Sequence, residues 1–225
     1  MAKLEWDKTG THYFENGVDH GVLYPQTDGG ASGSVVYGNG VAWNGLTSVT
    51  QSPEGAEPSA VYADNIKYLS LLSVEEFNAT IEAYTYPDEF AACDGSASLG
   101  EGVTIDQQAR KTFCLSYRTK IGNDVNNDLG YKIHIIYGCL AAPSERAYET
   151  VNDSPEAMTL SWEISTTPVV VTGFKPTSHL VIDSTKVKPA ALKAIEDALY
   201  GTESESAKIL MPDEVATLIK NSAGA

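Results

Sequence analysis

The segment Gly122–Gly130 (GNDVNNDLG) has residue types and a spacing that could hold a divalent cation. Asp124, Asn126 and Asp128 alternate along it, and oxygen side chains at alternate positions of a tight loop can surround calcium. A calcium loop of the helix-flanked type, however, requires glycine at its sixth position and glutamate at its twelfth, where this chain has leucine and isoleucine. The pattern therefore favours a plain hairpin loop of turn-forming residues, and we expect neither a metal nor another cofactor.

Other segments carry even less of a catalytic or cofactor-binding pattern. Gly38 and Gly40 resemble the start of a dinucleotide fingerprint, but no strand–turn–helix unit surrounds them and the third glycine is misplaced. Serine and cysteine never occur in a nucleophile-elbow context, and paired acids fall in turns, where solvated charge explains them. The histidines are scattered along the chain, at His12, His20, His134 and His179. We therefore expect a protein that is not an enzyme.

The charge of the chain bears on its relation to nucleic acid. Thirty acidic residues against 15 basic ones give a formal net charge of −15. Direct binding of DNA or RNA is disfavoured, because neutralising phosphates requires lysine and arginine. Only Lys111–Leu140 is locally basic, with four basic residues against two acidic ones. An acidic surface could nevertheless enclose DNA without gripping it.

Cysteine usage and hydropathy indicate where the chain is made. The three cysteines, Cys93, Cys114 and Cys139, are odd in number and lack CxxC spacing, so we expect reduced core residues. The N-terminal residues lack the apolar run of a signal peptide, and no stretch approaches the roughly 20 apolar residues of a membrane-spanning helix. We therefore expect a soluble protein that is made in a cytoplasm and does not enter a membrane.

Period-two alternation of apolar and polar residues predicts the main strands, because successive side chains of a strand point to opposite faces. The clearest cases are Phe77–Tyr86, Lys111–Ile121, Tyr131–Leu140 and Met158–Thr166. The second and third form a hairpin around the Gly122–Gly130 loop. One face of the returning strand is predicted to carry Tyr131, Ile133, Ile135, Tyr137 and Cys139. The inward face of the strand Met158–Thr166 is predicted to carry Met158, Leu160, Trp162 and Ile164.

Shorter signals fill in the rest of the chain. Thr47–Gln51 predicts a strand, and Ser52–Gly55 predicts a turn with proline at its second position. The remaining predictions are strands at Ile66–Leu72, Val169–Val171 and Leu180–Ile182, a hairpin turn at Ser73–Glu76, helical turns at Asp88–Cys93, a polar loop at Ser96–Arg110 and a short helix at Ser144–Thr150.

Composition divides the chain into three parts. Residues 1–37 mix aromatic residues with glycines and predict an extended N-terminal arm that docks on something. Residues 38–185 are predicted to form an antiparallel β-sandwich or partly open barrel with one or two short helices. Residues 186–225 form a helical C-terminal extension, in which Pro189 and Gly201 bound one helix and Pro212 begins another.

Five segments, taken in order, resemble the major tail proteins, or tail tube proteins, of long-tailed bacteriophages that infect Gram-positive bacteria. The segments are Trp43–Leu69 (WNGLTSVTQSPEGAEPSAVYADNIKYL), Ala79–Ser96 (ATIEAYTYPDEFAACDGS), Lys111–Asp124 (KTFCLSYRTKIGND), Tyr131–Tyr148 (YKIHIIYGCLAAPSERAY) and Ser154–Val169 (SPEAMTLSWEISTTPV). They are spread in order over residues 43–169, more than half of the chain, whereas residues 28–37 and the sequence after about Thr185 match less clearly.

This resemblance implies a structural protein of the virion tail. It implies stacked six-membered rings, whose inner strands join into a continuous barrel through which DNA passes without sequence-specific binding. Neighbouring subunits would then satisfy the edge strands. The implied partners are further copies of the chain, the tape measure protein and other tail proteins, and the implied place of synthesis is the cytoplasm of the host bacterium.

The polar residues of the strands and loops then acquire expected roles in assembly. Glu82 and Glu163 are expected to face the bore. The basic hairpin is expected to be neutralised by neighbouring chains or by the loops that carry Glu54, Glu57, Glu101 and Asp106, leaving a net negative bore. The expected assembly contacts are Arg118, Lys120, Asp124, Asp128, Glu101 and Asp106.

Two other functions are compatible with the same residues. The tyrosine and tryptophan content also fits a carbohydrate-binding or surface-binding β-module of phage origin, which would be monomeric. The tube of a contractile phage-like particle would be assembled from the same kind of chain.

Overall fold

The computed structural model describes residues 4–27, 35–151, 153 and 157–223. With 46% strand and 14% helix it is mainly β and antiparallel, which confirms the predicted fold class of a β-sandwich with short helices. The strands are β1 (Tyr13–Thr27), β2 (Val36–Tyr37), β3 (Val41–Trp43), β4 (Leu46–Gly55), β5 (Pro58–Ala63), β6 (Ile66–Leu72), β7 (Glu75–Ala83), β8 (Ala97–Gly100), β9 (Val103–Ile105), β10 (Phe113–Asn123), β11 (Gly130–Ala141), β12 (Leu160–Thr166) and β13 (His179–Asp183). The helices are α1 (Ala91–Asp94), preceded by a 3-10 turn at Asp88–Phe90, α2 (Pro189–Tyr200) and α3 (Pro212–Ala223).

Within the described residues, nine strands form one antiparallel sheet in the order β2-β1-β10-β11-β12-β7-β4, with β3 paired to β1 and β13 paired to β11. The sheet divides at β11. Lys132–Ile136 of this strand pair with β13, whereas Cys139–Ala141 pair with β12. The strands β12, β7 and β4 therefore leave the rest of the sheet at this point and form one side of the sandwich.

A bulge at Gly138 produces the division. Leu115 lies opposite Ile136, but Phe113 lies opposite Cys139, so β11 contains one extra residue. Gly138 has a φ of +59°, and a Cβ atom there would collide with the carbonyl oxygen of Thr167. The bulge turns Cys139 to the opposite face from Tyr137, so the prediction that both residues share one face is wrong.

Two hydrophobic clusters hold the layers together. The first lies between the two sides of the sandwich and includes Trp43, Phe113 and Trp162, which are almost fully buried. The second lies between the sheet and the C-terminal helices. It includes Ile135 and the helical Ile195. The outer layer of helices thus covers the face of the sheet that the sandwich leaves open.

The C-terminal helices begin where proline predicts them and belong to the core. Pro189 is the first residue of α2, which buries Ala191, Ile195 and Leu199 at intervals of four residues. The hydroxyl of Tyr24 donates to the carbonyl oxygen of Leu199 (2.7 Å), which ties the helix to β1. The predicted helices are confirmed, and they pack on the sheet instead of extending away from it.

The predicted N-terminal arm contributes β1 to the main sheet. Tyr13–Pro25 pair with β10, and Leu23 and Tyr24 are fully buried. The segment is extended, as predicted, and what it docks on is the β10–β11 hairpin of its own chain. Residues 1–3 and 28–34 of the predicted arm lie outside the described residues.

Several local predictions are wrong. Val169–Val171 is not a strand, since Val169 forms an isolated bridge with Thr177, and the predicted loop Ser96–Arg110 contains β8 and β9. Ser52–Gly55 is not a turn, because β4 continues to Gly55 opposite Glu75 of β7. Ser73–Glu76 is not a hairpin turn, since β6 pairs with β5 whereas β7 pairs with β4 and β12. Ser144–Thr150 is irregular and not helical. Met158 precedes β12 and is exposed, although Leu160, Trp162 and Ile164 point inward as predicted.

Candidate assembly surface

The β5–β6 hairpin projects from the sandwich with every residue exposed. Asp64 and Asn65 at its tip both have positive φ, the backbone that a two-residue hairpin turn requires. The hairpin presents apolar side chains on both faces. A bulge at Tyr68 interrupts the alternation of β6, so Ile66, Leu69 and Leu71 share one face, while Leu72 lies on the other face with Tyr62 of β5. No face of this hairpin is covered by the described part of the chain.

Such a hairpin is unusual for a protein that acts alone. A two-stranded ribbon is marginally stable in water unless a third strand or another surface packs on it. Contiguous exposed apolar surface typically marks a place where another molecule binds. The alternation of the sequence predicts β6 but not its partner β5, although the Asp64–Asn65 pair between two apolar runs is a usable turn signal.

The β5–β6 hairpin connects β4 to β7 at one edge of the sheet. Its two ends continue directly into β4 and β7, and among the described residues β4 pairs with β7 alone along its ten residues. An edge strand of this length has one row of unpaired backbone groups, which invites pairing with a strand of another chain. The free edge and the exposed hairpin therefore form one continuous surface, which we call the assembly surface.

The outward face of β12, β7 and β4 is polar and acidic. Glu163 and Glu82 lie on this face, as do Glu54 and its direct neighbour Glu76. The hydroxyl of Ser48 donates to Glu82 Oε2 (2.8 Å). Among the described residues of these three strands, no lysine or arginine accompanies the four carboxylates. The two residues predicted to face a bore thus lie on one face with two further glutamates that sequence analysis did not assign to it.

Arg118 has its acidic partner within the chain. Its Nε–H donates to Asp19 Oδ1 (2.9 Å), and its guanidinium lies 4.5 Å from the centre of the Tyr131 ring. Burial alone would raise the pKa of Asp19, but the hydrogen bond and charge of Arg118 outweigh it and hold that pKa below its ordinary value. Arg118 thus has an acidic partner in β1 of its own chain, which the prediction did not name.

The other basic residues of the hairpin differ in their pairing. Lys132 forms an ion pair with Glu15 of β1. Lys120 is exposed, and it forms no ion pair within the part of the chain that the structure describes. Arg118 and Lys132 are thus paired by β1, which sequence analysis treated as a separate arm.

The remaining predicted contact residues fall in two places, Asp124 and Asp128 in the loop between β10 and β11, and Glu101 and Asp106 at the β8–β9 hairpin. Asp124 accepts hydrogen bonds from the backbone N–H of Gly10 (3.0 Å), which lowers the pKa of this carboxyl and ties the N-terminal segment to the loop. Asp106 accepts from the hydroxyl of Ser96 (2.7 Å). Asp128 is exposed in its loop, and Glu101 lies at the exposed turn between β8 and β9. The structure does not bring these four residues together with Arg118 and Lys120.

The described residues include no group of three or more histidine, cysteine, aspartate or glutamate side chains arranged to hold a metal ion. None of the helices in the described residues combines the length and apolar character needed to span a membrane. Neither family models nor curated proteins yield a match to this chain.

Removing Arg118 is expected to destabilise the fold, whereas removing Lys120 is not. Arg118→Ala should lower the free energy of unfolding by about 1–2 kcal/mol, below the upper range for charged hydrogen bonds because Asp19 remains partly exposed. Lys120→Ala should change it by less than about 0.5 kcal/mol. Urea denaturation measures both. Combining Arg118→Ala with Asp19→Ala should then add little further loss, and full additivity would refute the pairing.

Proposed function

We propose that this chain is a structural protein that polymerises as stacked six-membered rings and forms the tail tube of a long-tailed bacteriophage. The observation that carries the proposal is the assembly surface, where an unpaired ten-residue edge continues into a hairpin with two exposed apolar faces. The resemblance of the chain to tail tube proteins is the reason for proposing stacked six-membered rings as the form of the assembly. The proposal gives both features of the assembly surface a partner, namely another copy of the chain.

In this assembly the edge of β4 pairs with a strand of the neighbouring subunit. The three-stranded units of β12, β7 and β4 then join around the ring, which removes the free edge. The hairpin reaches across to an adjacent copy, where its apolar faces are buried.

The acidic outward face is the surface best suited to line the bore. Four carboxylates per subunit, without a basic residue on the described strands, repel phosphate. This repulsion acts over about 10 Å at moderate salt, so DNA passes along the bore without adhering to it. Further partners are the tape measure protein and other tail proteins, and the chain is made in the cytoplasm of the host before it enters the virion.

A carbohydrate-binding or surface-binding module is the second candidate. Tyr62 and Tyr68 are each about 70% exposed on the hairpin, and exposed aromatic rings are a common platform for sugars. Such a module would act as a monomer. A contractile phage-like tube would use the same assembly surface and predicts the same rings.

Sedimentation velocity over a series of protein concentrations separates a tube protein of either kind from the monomeric binding module. The tail tube proposal predicts species larger than the 24.1 kDa monomer that grow with concentration. A single monomeric boundary at every concentration, combined with binding to a polysaccharide, would favour the module instead.

A further inference from the structure

Four aromatic rings stack in a column between the two sides of the sandwich. The ring of Tyr117 lies 4.8 Å from that of His134, and the ring of His134 lies 5.4 Å from that of His179. Phe77 completes the column, 4.7 Å from His179. These residues come from β10, β11, β13 and β7, so the column joins the main sheet to the strand that leads out of the hairpin.

The two histidines share a hydrogen bond. His134 Nδ1 and His179 Nε2 are 3.2 Å apart, a distance at which one proton lies between the two nitrogens. The other nitrogen of His134 lies 3.0 Å from the hydroxyl of Thr119. Gln51 Nε2 donates to the hydroxyl of Tyr117 (2.7 Å) and lies within 3.5 Å of both imidazoles. Two protons added to the neutral pair would charge both rings and leave an N–H group on each of the two facing nitrogens.

The surroundings favour the neutral pair at pH 7. Burial lowers the pKa of His134, and Lys132 adds to this effect while Glu15 opposes it. Burial and the neighbouring His134 lower the pKa of His179 to about 4. The charged groups that face the pair are Glu15 from β1 and Lys132 from β11, which bind one another. The neighbouring side chains from β4, β7 and β10 are Gln51, Phe77, Tyr117 and Thr119, which are uncharged at neutral pH.

The pair also lies at the root of the assembly surface. Gln51 is on β4, four residues before that strand ends at Gly55, and Phe77 is two residues after β7 begins at Glu75. Both strands continue directly into the β5–β6 hairpin. A change at the histidines therefore acts on the two strands that position the hairpin.

We propose that the His134–His179 pair is a pH-sensitive lock that holds the root of the β5–β6 hairpin against the main sheet when neutral and releases it when doubly protonated. Any effect of this release on assembly rests on the proposed function, whereas the release of the hairpin itself does not.

The direction in which pH acts on the lock follows from the state of the chain that binds protons more tightly. The pKa of His179 is about 4 in the folded chain against 6.5 for the free side chain, so the unlocked chain binds protons more tightly. The lock is complete above pH 6.5 and weakens as the pH falls from 6.5 toward 4.

Hydrogen exchange on the unassembled full chain tests the release. After correction for the intrinsic rate, amides of β4 and β7 near Gln51 and Phe77 should exchange about tenfold faster at about pH 4.5 than at pH 7. Two variants should lose most of this difference: His179→Gln, which keeps hydrogen-bonding groups, and His179→Phe, which keeps the stack. His20→Gln changes an exposed histidine outside the column and should retain the full difference.

Four outcomes separate the lock from the proposed function. Equal corrected exchange at both pH values in the wild type would overturn the lock, as would a full difference that persists in both His179 variants. A difference that the variants abolish, in a chain that never assembles, would support the lock and refute the tube. Rings that form equally at both pH values, with unchanged exchange, would support the tube and refute the lock.

Discussion

The double substitution Tyr68→Ser and Leu72→Ser is expected to leave a folded chain that assembles only at a much higher protein concentration. Both side chains are about 70% exposed, so the substitutions remove apolar surface without opening a cavity. If the assembly covers them, each contributes about 1.5–3 kcal/mol by burial. Their loss should raise the concentration required for assembly by about two to four orders of magnitude. Light scattering over a concentration series measures this threshold.

Leu99→Ser is the matched control. Leu99 is 70% exposed, close to the 71% of Leu72, but it lies on the β8–β9 hairpin and outside the assembly surface. This variant should assemble as the wild type does, and all variants should have the same thermal midpoint. If the double variant assembles at the wild-type concentration, the hairpin is not a contact between subunits.

Asp94→Ala is expected to cause the largest loss of stability. The side chain is only 6% exposed, accepts from the indole N–H of Trp162 (3.0 Å), and pairs with Arg146 and with Arg110 (3.6 Å). Alanine would leave two guanidinium groups and an indole N–H without this acceptor, which costs about 3–5 kcal/mol. For a chain of this size the thermal midpoint should fall by about 6–20 °C.

Two further variants check the cause of that loss. Asp94→Asn keeps an acceptor for Trp162 but removes the charge, so its midpoint should lie between those of the wild type and Asp94→Ala. Asp128→Ala removes an exposed carboxylate and should shift stability by less than about 0.5 kcal/mol. If Asp94→Ala and Asp128→Ala have the same thermal midpoint, the ion pairs and the hydrogen bond of Asp94 do not contribute to stability.

Elements with a complete local signal could be predicted from the sequence. Pro189 and Gly201 bound α2 because proline fits the first turn of a helix and glycine suits its end. Leu160, Trp162 and Ile164 point inward in β12 because a strand has a period of two.

Elements whose geometry depends on a distant partner could not be predicted in the same way. Ser52–Gly55 carries the residues of a turn, yet pairing with β7 keeps it extended, and an edge strand tolerates Pro53. Cys139 fits the alternation of β11 until the bulge at Gly138 reverses it, because close contact with Thr167 requires glycine there.

The contacts of the candidate site were harder still to predict from the sequence. Asp19 lies 99 residues before Arg118, and His179 lies 45 residues after His134, so neither pair leaves a local pattern. Glu82 and Glu163 could be placed on outward faces by alternation alone. The pairing of β7 with β12 was needed to show that these two faces adjoin and that the basic side chains lie elsewhere.

Electron microscopy of the purified full chain tests the central claim most directly. The account predicts six-fold rings at high protein concentration, and tubes of stacked rings as the concentration rises further. A chain that remains strictly monomeric at high concentration, without rings at any salt concentration, would contradict it.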